Sequence, residues 1–480
     1  MIDVQAGVAV QATTLGPEMK RFLRLLISVA LALVAYLGPF ASVETTRRAL
    51  SVTIFMLVMF ITEALPLGVT GLLGCWLFWT WARLPVTKAF AGFTNDTPWF
   101  LLGALLMGLM ANTTGLARRF AYKIICRLGS SYSVILIGMM VVNFLLTFIV
   151  PSGSARVLIL CTISLGMIES YGMAKKSNIG RGLMLAMTYQ GGLFDKTIIA
   201  GSGSILARGM IEKFGNVRVS WGMWLIAFLP VALITIVASW YIVLKLFPPE
   251  KRVLDGGEEY CRSELQKMGA MTTKEMRALF ILLVATLLFA TDFLHHVSAS
   301  MIGLGAGLIG CLPVVGVLKK DEFGKVNIPI IIFLGGVLTL GSVMSDTGIL
   351  KALTAALFKW MTPMLTSASA LATPLLYWYA NAFHLFLGNE GSMVSATMPA
   401  LMDFALKNGF NPITLGMIWG FSIEGKFFVY QSSVMAVGYA FDTFSAKDLF
   451  KLGACLFLVE TVLLSVLVAV YWPFLGLYFR

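Results

Sequence analysis

The chain has 480 residues, of which 58% are hydrophobic and only 12% are charged, with a mean hydropathy of +0.86. Soluble domains carry about 25% charged residues, so this composition excludes a soluble protein and indicates a polytopic helical membrane protein. The net charge of +12 is typical of basic cytoplasmic loops and also suits an anionic solute. Basic residues are too scattered for a nucleic-acid surface, so we expect no nucleic-acid partner.

The six cysteines stand singly in the sequence, without the spacing of a metal site or a disulfide framework. No phosphate-binding or dinucleotide-binding motif is present. We therefore expect no metal centre and no organic cofactor.

Apolar runs of about 20 residues, the length that spans a bilayer, recur along the chain. We expect an all-α polytopic membrane protein with about eleven transmembrane helices and two re-entrant hairpins. The predicted spans lie at 21–40, 50–65, 67–83, 98–116, 181–211, 221–247, 275–294, 299–317, 328–345, 411–440 and 448–476. The predicted hairpins lie at 131–171 and 366–406. The predicted regions are an N-terminus at 1–20, a first transmembrane part at 21–247, a linker at 248–274 and a second transmembrane part at 275–480.

Basic residues near the span ends set the expected orientation. The basic pairs at 118–119, 175–176 and 319–320 fall on one side if the N-terminus is cytoplasmic. Residues 1–19 have no signal-peptide pattern, so the first apolar segment is expected to remain as a helix. We predict an integral protein of the bacterial inner membrane with a cytoplasmic N-terminus and linker. With an odd number of crossings, the C-terminus is predicted to be outside.

The first predicted hairpin turns at a polar segment between two apolar arms that are each short for a full crossing. Its tip reads Pro151-Ser152-Gly153-Ser154, and Arg156 follows. The alternative is a short extracellular loop between two ordinary helices. Arg156 favours the hairpin, because a charge among apolar residues usually faces the interior of a helix bundle.

The two halves of the chain share a glycine pattern. Gly103, Gly108 and Gly115 match Gly336, Gly341 and Gly348 at one offset of 233 positions. An odd number of crossings in each half would make these halves inverted repeats. In that architecture the substrate site lies near the membrane midplane, where each half contributes broken helices.

The second half has a matching hairpin tip, and each half has an interrupted helix after its hairpin. The interrupted helices carry Asp195 and Lys196 before Ser202 in the first half, and Glu424 and Lys426 before Ser432 in the second. Such breaks free backbone groups, and the N-termini of the half-helices direct partial positive charge at an anion. The predicted substrate-binding residues are Ser152, Gly153, Ser154, Asn389, Glu390, Gly391, Ser392 and Ser432.

Several motifs resemble those of the divalent anion/sodium symporter family, the carboxylate transporters. Residues 61–67 are similar to its ITEALPL stretch, and residues 429–433 and 446–453 resemble its YGSG and DxxKxG patterns. Residues 151–156 are similar to the PSNTAR tip of the citrate/succinate and 2-oxoglutarate/malate exchanger branch. The resemblance implies a homodimer with a fixed scaffold domain and a moving transport domain. It also implies elevator-like alternating access, with carboxylates bound between the two hairpin tips.

The chain departs from the family pattern at both tips. Gly153 and Ser154 stand where the family has Asn and Thr, and the second tip carries an acid, Glu390. The segment 424–426 replaces the proline-rich break of the family's late helix. These departures leave the substrate and the sodium dependence open.

Six ionisable residues with a formal charge sum of zero are predicted at membrane depth. They are Arg156, Asp195, Lys196, Glu390, Glu424 and Lys426. Each unpaired charge costs about 2.5–3.5 kcal/mol at a helix centre. One interpretation is a set of ion pairs that holds the fold together. In the other, Lys196 and Lys426 place ammonium groups where a symporter binds sodium, and an empty carrier with excess positive charge resists switching sides.

We predict a secondary transporter of small di- or tricarboxylates, working as an anion exchanger that does not require sodium, and not an enzyme. One alternative is a sodium- or proton-coupled symporter of carboxylate or sulfate. Another is a membrane-embedded enzyme that uses Glu390, Glu424 and His384, although close ligand spacing is missing from the sequence. His384 is otherwise expected to be a packing residue. The predicted partners are the anionic substrate, the bilayer and a second copy of the chain.

Overall fold

The computed structural model describes residues 16–254, 256–366 and 371–480. Within these residues every regular element is a helix, and one bridge pairs Ser131 with Val253. Five described helices are long and apolar enough to cross a membrane, and a bent pair adds a sixth span if it is counted as one. The predicted all-α membrane protein is confirmed, while the number of crossings stays a prediction. Most of the predicted N-terminal region and the start of the second predicted hairpin lie outside the described residues.

The helices of the first half begin with three apolar helices and end with the longest one. They are Pro17–Leu37, Glu44–Thr62, Leu67–Thr80, Val86–Ala89, Thr97–Thr113, Leu116–Ile125, Tyr132–Thr147, Gly153–Ser170, Asn178–Thr197, Ser202–Gly215 and Trp221–Leu246.

The second half begins with a polar helix inside the predicted linker. Its helices are Gly257–Met268, Thr273–Ala290, Asp292–His295, Ala299–Ile309, Lys320–Phe323, Ile328–Asp346, Ile349–Phe358, Thr362–Thr366, Ala372–Phe386, Glu390–Asn408, Pro412–Phe421, Ser433–Tyr439 and Ala446–Val466.

Three kinds of element position the candidate site, and each occurs once in each half. Hairpin 1 is Tyr132–Thr147 with Gly153–Ser170, and hairpin 2 is Ala372–Phe386 with Glu390–Asn408. Broken helix 1 is Asn178–Thr197 with Ser202–Gly215, and broken helix 2 is Pro412–Phe421 with Ser433–Tyr439. Support helix 1 is Glu44–Thr62, and support helix 2 is Thr273–Ala290.

The two halves repeat one order of elements around two glycines. In each half a long helix ends just before Gly115 or Gly348, and a second helix starts directly after that glycine. Both glycines have positive φ, +83° and +78°, a conformation that residues with a Cβ adopt only at a cost. The first of these turns bends the chain by 63°. The local backbone at the two glycines is thus alike, and the repeat and its inverted orientation stay predictions.

Glycines also let helices of the two halves pack closely against each other. A Cβ on Gly336 would lie 2.5 Å from the Cα of Gly71, and a Cβ on Gly103 would overlap the backbone of Gly303. Gly103 and Gly336 are a repeat-related pair, so each half presents the same small residue to the other half. Small residues at such crossings allow the close backbone approach that stabilises helix pairs in membranes.

The hairpin tips break their helices by different local chemistry. Pro151 has no backbone N–H and disfavours helix for the residue before it, and Ser152 then adopts an extended conformation with φ −156°. In hairpin 2, Gly388 has φ +63° and Asn389 caps the next helix. The Asn389 Oδ1 accepts a hydrogen bond from the backbone N–H of Ser392 at 2.9 Å.

Several boundaries differ from the sequence prediction. The hairpin predicted at 131–171 has arms within 132–170, but the predicted span 299–317 ends at Ile309. Gly310 and Pro313 follow directly, and both residue types favour the end of a helix. The spans predicted at 181–211 and 411–440 are each two helices, as expected for interrupted helices.

Candidate functional site

A cavity of about 710 Å³ lies between hairpin 2 and the interruptions of both broken helices. Ser202 and Gly203 line it from the first half. Its volume falls within the range of small-molecule sites, about 300–1,000 Å³. The predicted binding residues that line it are Asn389, Glu390, Gly391 and Ser432.

Four charged side chains form a continuous chain of ion pairs behind this cavity. The Glu390 carboxylate lies 2.6 Å from Lys196 Nζ and 3.1 Å from Lys426 Nζ. Lys426 Nζ also lies 2.9 Å from the Glu424 carboxylate. Both lysines and Glu424 are buried, and Glu390 is 14% exposed at the side chain. The two ammonium groups and two carboxylates balance, so the lysines do not carry the excess positive charge that the exchange hypothesis assumed.

Two glycines make room for the charged groups at the breaks. A Cβ on Gly203 would lie 2.8 Å from Glu390 Oε2 and 3.2 Å from Lys196 Nζ. A Cβ on Gly192 would lie 2.5 Å from Lys426 Nζ. Any larger residue would therefore displace one of the ion pairs.

Arg156 lies inside hairpin 1 and is fully buried. Its guanidinium donates to the Val150 and Gly191 carbonyl oxygens at 2.8 Å each and to the Asn143 side-chain oxygen at 3.3 Å. It also pairs with the Asp195 carboxylate at 2.9 Å. These contacts hold the tip of hairpin 1 against broken helix 1. In this structure the Arg156 guanidinium binds protein atoms and does not form a binding site for a substrate carboxylate.

The tip of hairpin 1 lies beside the cavity, and the predicted binding residues Ser152, Gly153 and Ser154 are not among the residues that line it. The Gly153 N–H donates to the Asp195 carboxylate at 3.0 Å. Ser154 Oγ lies 3.3 Å from Ser433 Oγ, and Ser433 lines the cavity. Ser152 caps its helix without a side-chain hydrogen bond to the backbone.

The tip of hairpin 2 also contacts support helix 1. The Asn389 side-chain amide donates to the Glu63 carboxylate, and Ser392 Oγ donates to the Phe60 carbonyl oxygen at 3.0 Å. Glu63 belongs to the ITEALPL-like stretch and lies at the cavity wall together with Asn389. Ser392 therefore anchors the tip, while Asn389 and Glu390 face the cavity.

The comparison with known families agrees with this architecture. Residues 19–478 match the family described as the sodium:sulfate symporter transmembrane region. The chain belongs to this family. The family prediction is confirmed, and membership in a family of transporters excludes the membrane-embedded enzyme.

Curated relatives of this symporter-family chain extend over most of its length. A membrane protein of Cupriavidus necator is 26% identical over 97% of this chain and 95% of its own. The sodium-dependent dicarboxylate transporter SdcS of Staphylococcus saprophyticus is 26% identical over 76% of this chain and 74% of its own. Among solved structures, Neisseria gonorrhoeae MtrF, described as one of a class of antimetabolite efflux pumps, matches with a TM-score of 0.57 at 11% identity and covers 96% of each chain. That likeness concerns the fold alone.

The side-chain amides of Asn381 and Gln431 form hydrogen bonds with the interruption of broken helix 2. The sequence analysis did not identify them as site residues. Asn381 Nδ2 donates to the Ser422 and Gly425 carbonyl oxygens at 3.0 and 2.8 Å. Gln431 Oε1 accepts from the backbone N–H groups of residues 427 and 428. An amide within an otherwise apolar arm was the signal that could have identified Asn381, because buried polar groups need partners.

A buried acid, Glu460, was also missed. Its Oε2 accepts a hydrogen bond from the Tyr377 hydroxyl at 2.9 Å, and in the described part of the chain its Oε1 has no hydrogen-bond partner. Glu460 is the one charged residue in the apolar stretch 452–479, and this was the available signal. His384, in contrast, packs as expected, with Nε2 at 3.1 Å from the Gln431 carbonyl oxygen.

Proposed function

We propose that the chain is a secondary transporter of small dicarboxylates that works by alternating access. Family membership and the dicarboxylate transporters among the relatives support a small anionic substrate. The observation that carries the proposal is the pair of ammonium groups, one from each half, that meet at Glu390 beside a cavity of substrate size. Glu390 lies between the cavity and both cations, so a carboxylate in the cavity would compete with Glu390 for the two ammonium groups.

The proposed coupling is anion exchange without sodium. Lys196 and Lys426 are tethered cations at the breaks of the two broken helices. A lysine that releases Glu390 can offset the negative charge of a bound carboxylate there without a bound metal ion. The proposal of exchange therefore rests on the position of the two lysines. It does not rest on an excess of positive charge in the empty carrier.

Sodium-coupled symport is a second candidate with its own support. The ion-paired cluster is neutral when all four groups are ionised, so a dianion would add two uncompensated negative charges to the site. Co-bound cations would remove this imbalance. The relatives named as sodium-dependent transporters favour the same mechanism.

Counterflow in proteoliposomes distinguishes these candidates. Vesicles loaded with unlabelled succinate should take up labelled succinate from sodium-free buffer, and empty vesicles should take up little. Competition by other unlabelled di- and tricarboxylates and by sulfate then ranks the substrates. A steep sodium requirement in both directions would replace exchange by symport. Transport of sulfate without competition by any carboxylate would overturn the substrate class.

The assembly and orientation complete the proposal. We propose a homodimer in the bacterial inner membrane, with a cytoplasmic N-terminus and linker and the C-terminus outside. The family resemblance supports the dimer, and the distribution of basic residues supports the orientation. Light scattering of the purified protein measures whether it is a dimer. Labelling of single cysteines placed near each terminus measures the orientation in the membrane.

A further inference from the structure

Glu460 lies inside the protein without a cation. It is fully buried on the helix Ala446–Val466, and within the described residues it belongs to no ion pair. Its Oε2 accepts a hydrogen bond from the Tyr377 hydroxyl at 2.9 Å, whereas its Oε1 is unpartnered there. An ionised carboxylate is strongly destabilised at such a position, so a buried acid without a cation is expected to hold a proton.

Tyr377 connects Glu460 to the interruption of broken helix 2. Its ring stacks on Phe457 with 5.2 Å between centroids and on Phe421 with 6.1 Å. Phe457 lies three positions before Glu460, and Phe421 lies three positions before Glu424. Two buried acids from different helices therefore lie close to the same tyrosine.

Glu424 depends on a single cation. Its Oε2 lies 2.9 Å from Lys426 Nζ, and its Oε1 has no hydrogen-bond partner in the part of the chain that the structure describes. Both residues are fully buried. Glu390 binds the same Nζ at 3.1 Å, but Glu390 lines the cavity. If Lys426 moves to a substrate carboxylate, Glu424 is left as an ionised group that protein encloses.

The acids in this region outnumber the cations once Glu460 is counted. The cluster behind the cavity has two lysines and two acids, so its charges balance. An ionised Glu460 would add one negative charge to this balance. Glu424 repels such a charge more strongly than Lys426 attracts it. A proton on Glu460 keeps the region neutral.

The other elements packed against Glu460 bring no cation to it. Broken helix 1 presents Tyr189, whose hydroxyl donates to the backbone oxygen of Glu424 at 3.2 Å. The helix Trp221–Leu246 has a single charged residue, Lys245, whose ammonium lies 5.5 Å from the centroid of an aromatic ring. The groups that can exchange a proton here are thus the two acids.

We propose that Glu424 and Glu460 form a proton-binding site that takes up a proton when a dicarboxylate binds. Glu460 holds one proton in the substrate-free state, and Tyr377 fixes its orientation by the hydrogen bond to Oε2. When a substrate carboxylate takes Lys426, the Glu424 carboxylate gains a second proton from the solution in the cavity. That proton returns to solution when the substrate leaves. This inference rests on the proposed dicarboxylate transport.

The second proton reduces the charge imbalance of the loaded site. The cluster is neutral, so a dianion alone gives it a charge of −2, and one proton on Glu424 brings this to −1. A proton therefore takes over part of the compensation that co-bound sodium would supply. In exchange without sodium, each dicarboxylate then crosses the membrane with one proton.

Infrared difference spectroscopy of the purified full-length protein tests the proton on Glu460. A protonated carboxyl group has a C=O stretching band that an ionised carboxylate lacks. Glu460→Gln should remove one such band. Tyr377→Phe should keep the band and shift it, because the carboxyl group loses its hydrogen bond, and this variant serves if Glu460→Gln does not fold. Glu258→Gln is the matched control, since Glu258 forms an exposed ion pair and should contribute no such band.

Proton uptake during binding tests Glu424. A pH indicator in weakly buffered solution reports the protons that the purified protein takes up as succinate is added. We expect about one proton per succinate in the wild-type protein and in Glu258→Gln, and none in Glu424→Gln, whose amide takes no proton. Where succinate stays a dianion, the wild-type affinity should rise up to about tenfold for each unit by which pH falls. This pH dependence needs no variant.

Three outcomes would overturn the proton-binding site. They are succinate binding to the wild-type protein without proton uptake, equal uptake in Glu424→Gln, and a band that neither Glu460→Gln nor Tyr377→Phe changes. A different result separates this site from the proposed function. If the wild-type protein binds no dicarboxylate but Glu460→Gln removes the band, the proposed substrate fails and the proton on Glu460 stands.

Discussion

The two hairpins have similar backbones but are held by different chemistry. The charged contacts of the hairpin 1 tip lie within its own half, where Arg156 and Gly153 both bind Asp195. The tip of hairpin 2 is held through Glu390 by lysines from both halves. The contacts of Asp195 stabilise hairpin 1, whereas the ion pairs of Glu390 lie at the candidate site. We therefore propose that hairpin 1 has a structural role and that hairpin 2 contributes to substrate binding.

The largest expected effect is the loss of stability when the buried ion pair at the tip of hairpin 1 is broken. Arg156→Leu leaves Asp195 buried without its cation, and loss of one partner of a buried pair costs about 3–5 kcal/mol. Arg156→Lys should be intermediate, since one ammonium cannot satisfy the acceptors that the planar guanidinium reaches. The measurement is the midpoint of thermal unfolding in detergent.

Arg262→Leu is the control for this stability experiment. Arg262 forms an exposed ion pair with Glu258, and such pairs contribute about 0–1 kcal/mol. Equal unfolding midpoints for the Arg156→Leu and Arg262→Leu variants would show that hairpin 1 does not depend on its buried pair.

Glu390→Gln tests the functional tip. The substitution changes the charge of the cluster from zero to +1, so the site should bind an anion more tightly, by about 1 kcal/mol or roughly fivefold. Release should slow, and counterflow should fall although binding improves. Equilibrium binding of labelled succinate and counterflow are measured on the same preparation. Glu258→Gln, at the surface, should change neither, and weaker succinate binding in Glu390→Gln would mean that Glu390 itself contacts the substrate favourably.

A loss of stability smaller than that of Arg156→Leu is expected where glycine makes room for the ion pairs. Gly203→Ala places a Cβ 2.8 Å from Glu390 Oε2 and should cost about 1–3 kcal/mol, with loss of transport. Gly305→Ala is the matched control, because a Cβ there meets nothing within 4 Å. As a helical glycine replaced by alanine, it should stabilise the protein by up to about 1 kcal/mol. Similar unfolding midpoints for both variants would contradict the tight fit at Gly203.

The smallest expected effect compares what the two hairpin tips contribute to succinate affinity and stability. Asn389→Ala removes a helix cap worth about 1 kcal/mol and the contact with Glu63. Ser152→Ala removes no such cap, since the Ser152 side chain makes no capping hydrogen bond. Succinate affinity and stability should therefore fall more in Asn389→Ala than in Ser152→Ala. The reverse order would move the main substrate contacts to hairpin 1.

The sequence predicted the features that depend on local chemistry. Pro151 and Gly388 mark the tips because each interrupts an apolar run together with neighbouring small polar residues, and both residue types disfavour a regular helix at such a position. The glycine pattern at one offset of 233 positions predicted the repeat from the sequence alone. The partners of the charged residues depend on contacts far apart in sequence, such as Lys196 with Glu390. Sequence therefore identified the six charges and their zero sum, but could not show that Asp195 binds Arg156 while both lysines bind acids. Asn381 and Glu460 were missed because their roles depend on those same distant contacts.

The central claim is that the tethered lysines allow a dicarboxylate to bind without sodium. Equilibrium binding of labelled succinate to the purified protein, in buffer free of sodium, tests it most directly. The account predicts saturable binding that excess unlabelled dicarboxylate displaces and a monocarboxylate does not, with little change when sodium is added. Absence of binding without sodium, and its appearance in steep dependence on sodium concentration, would contradict the account.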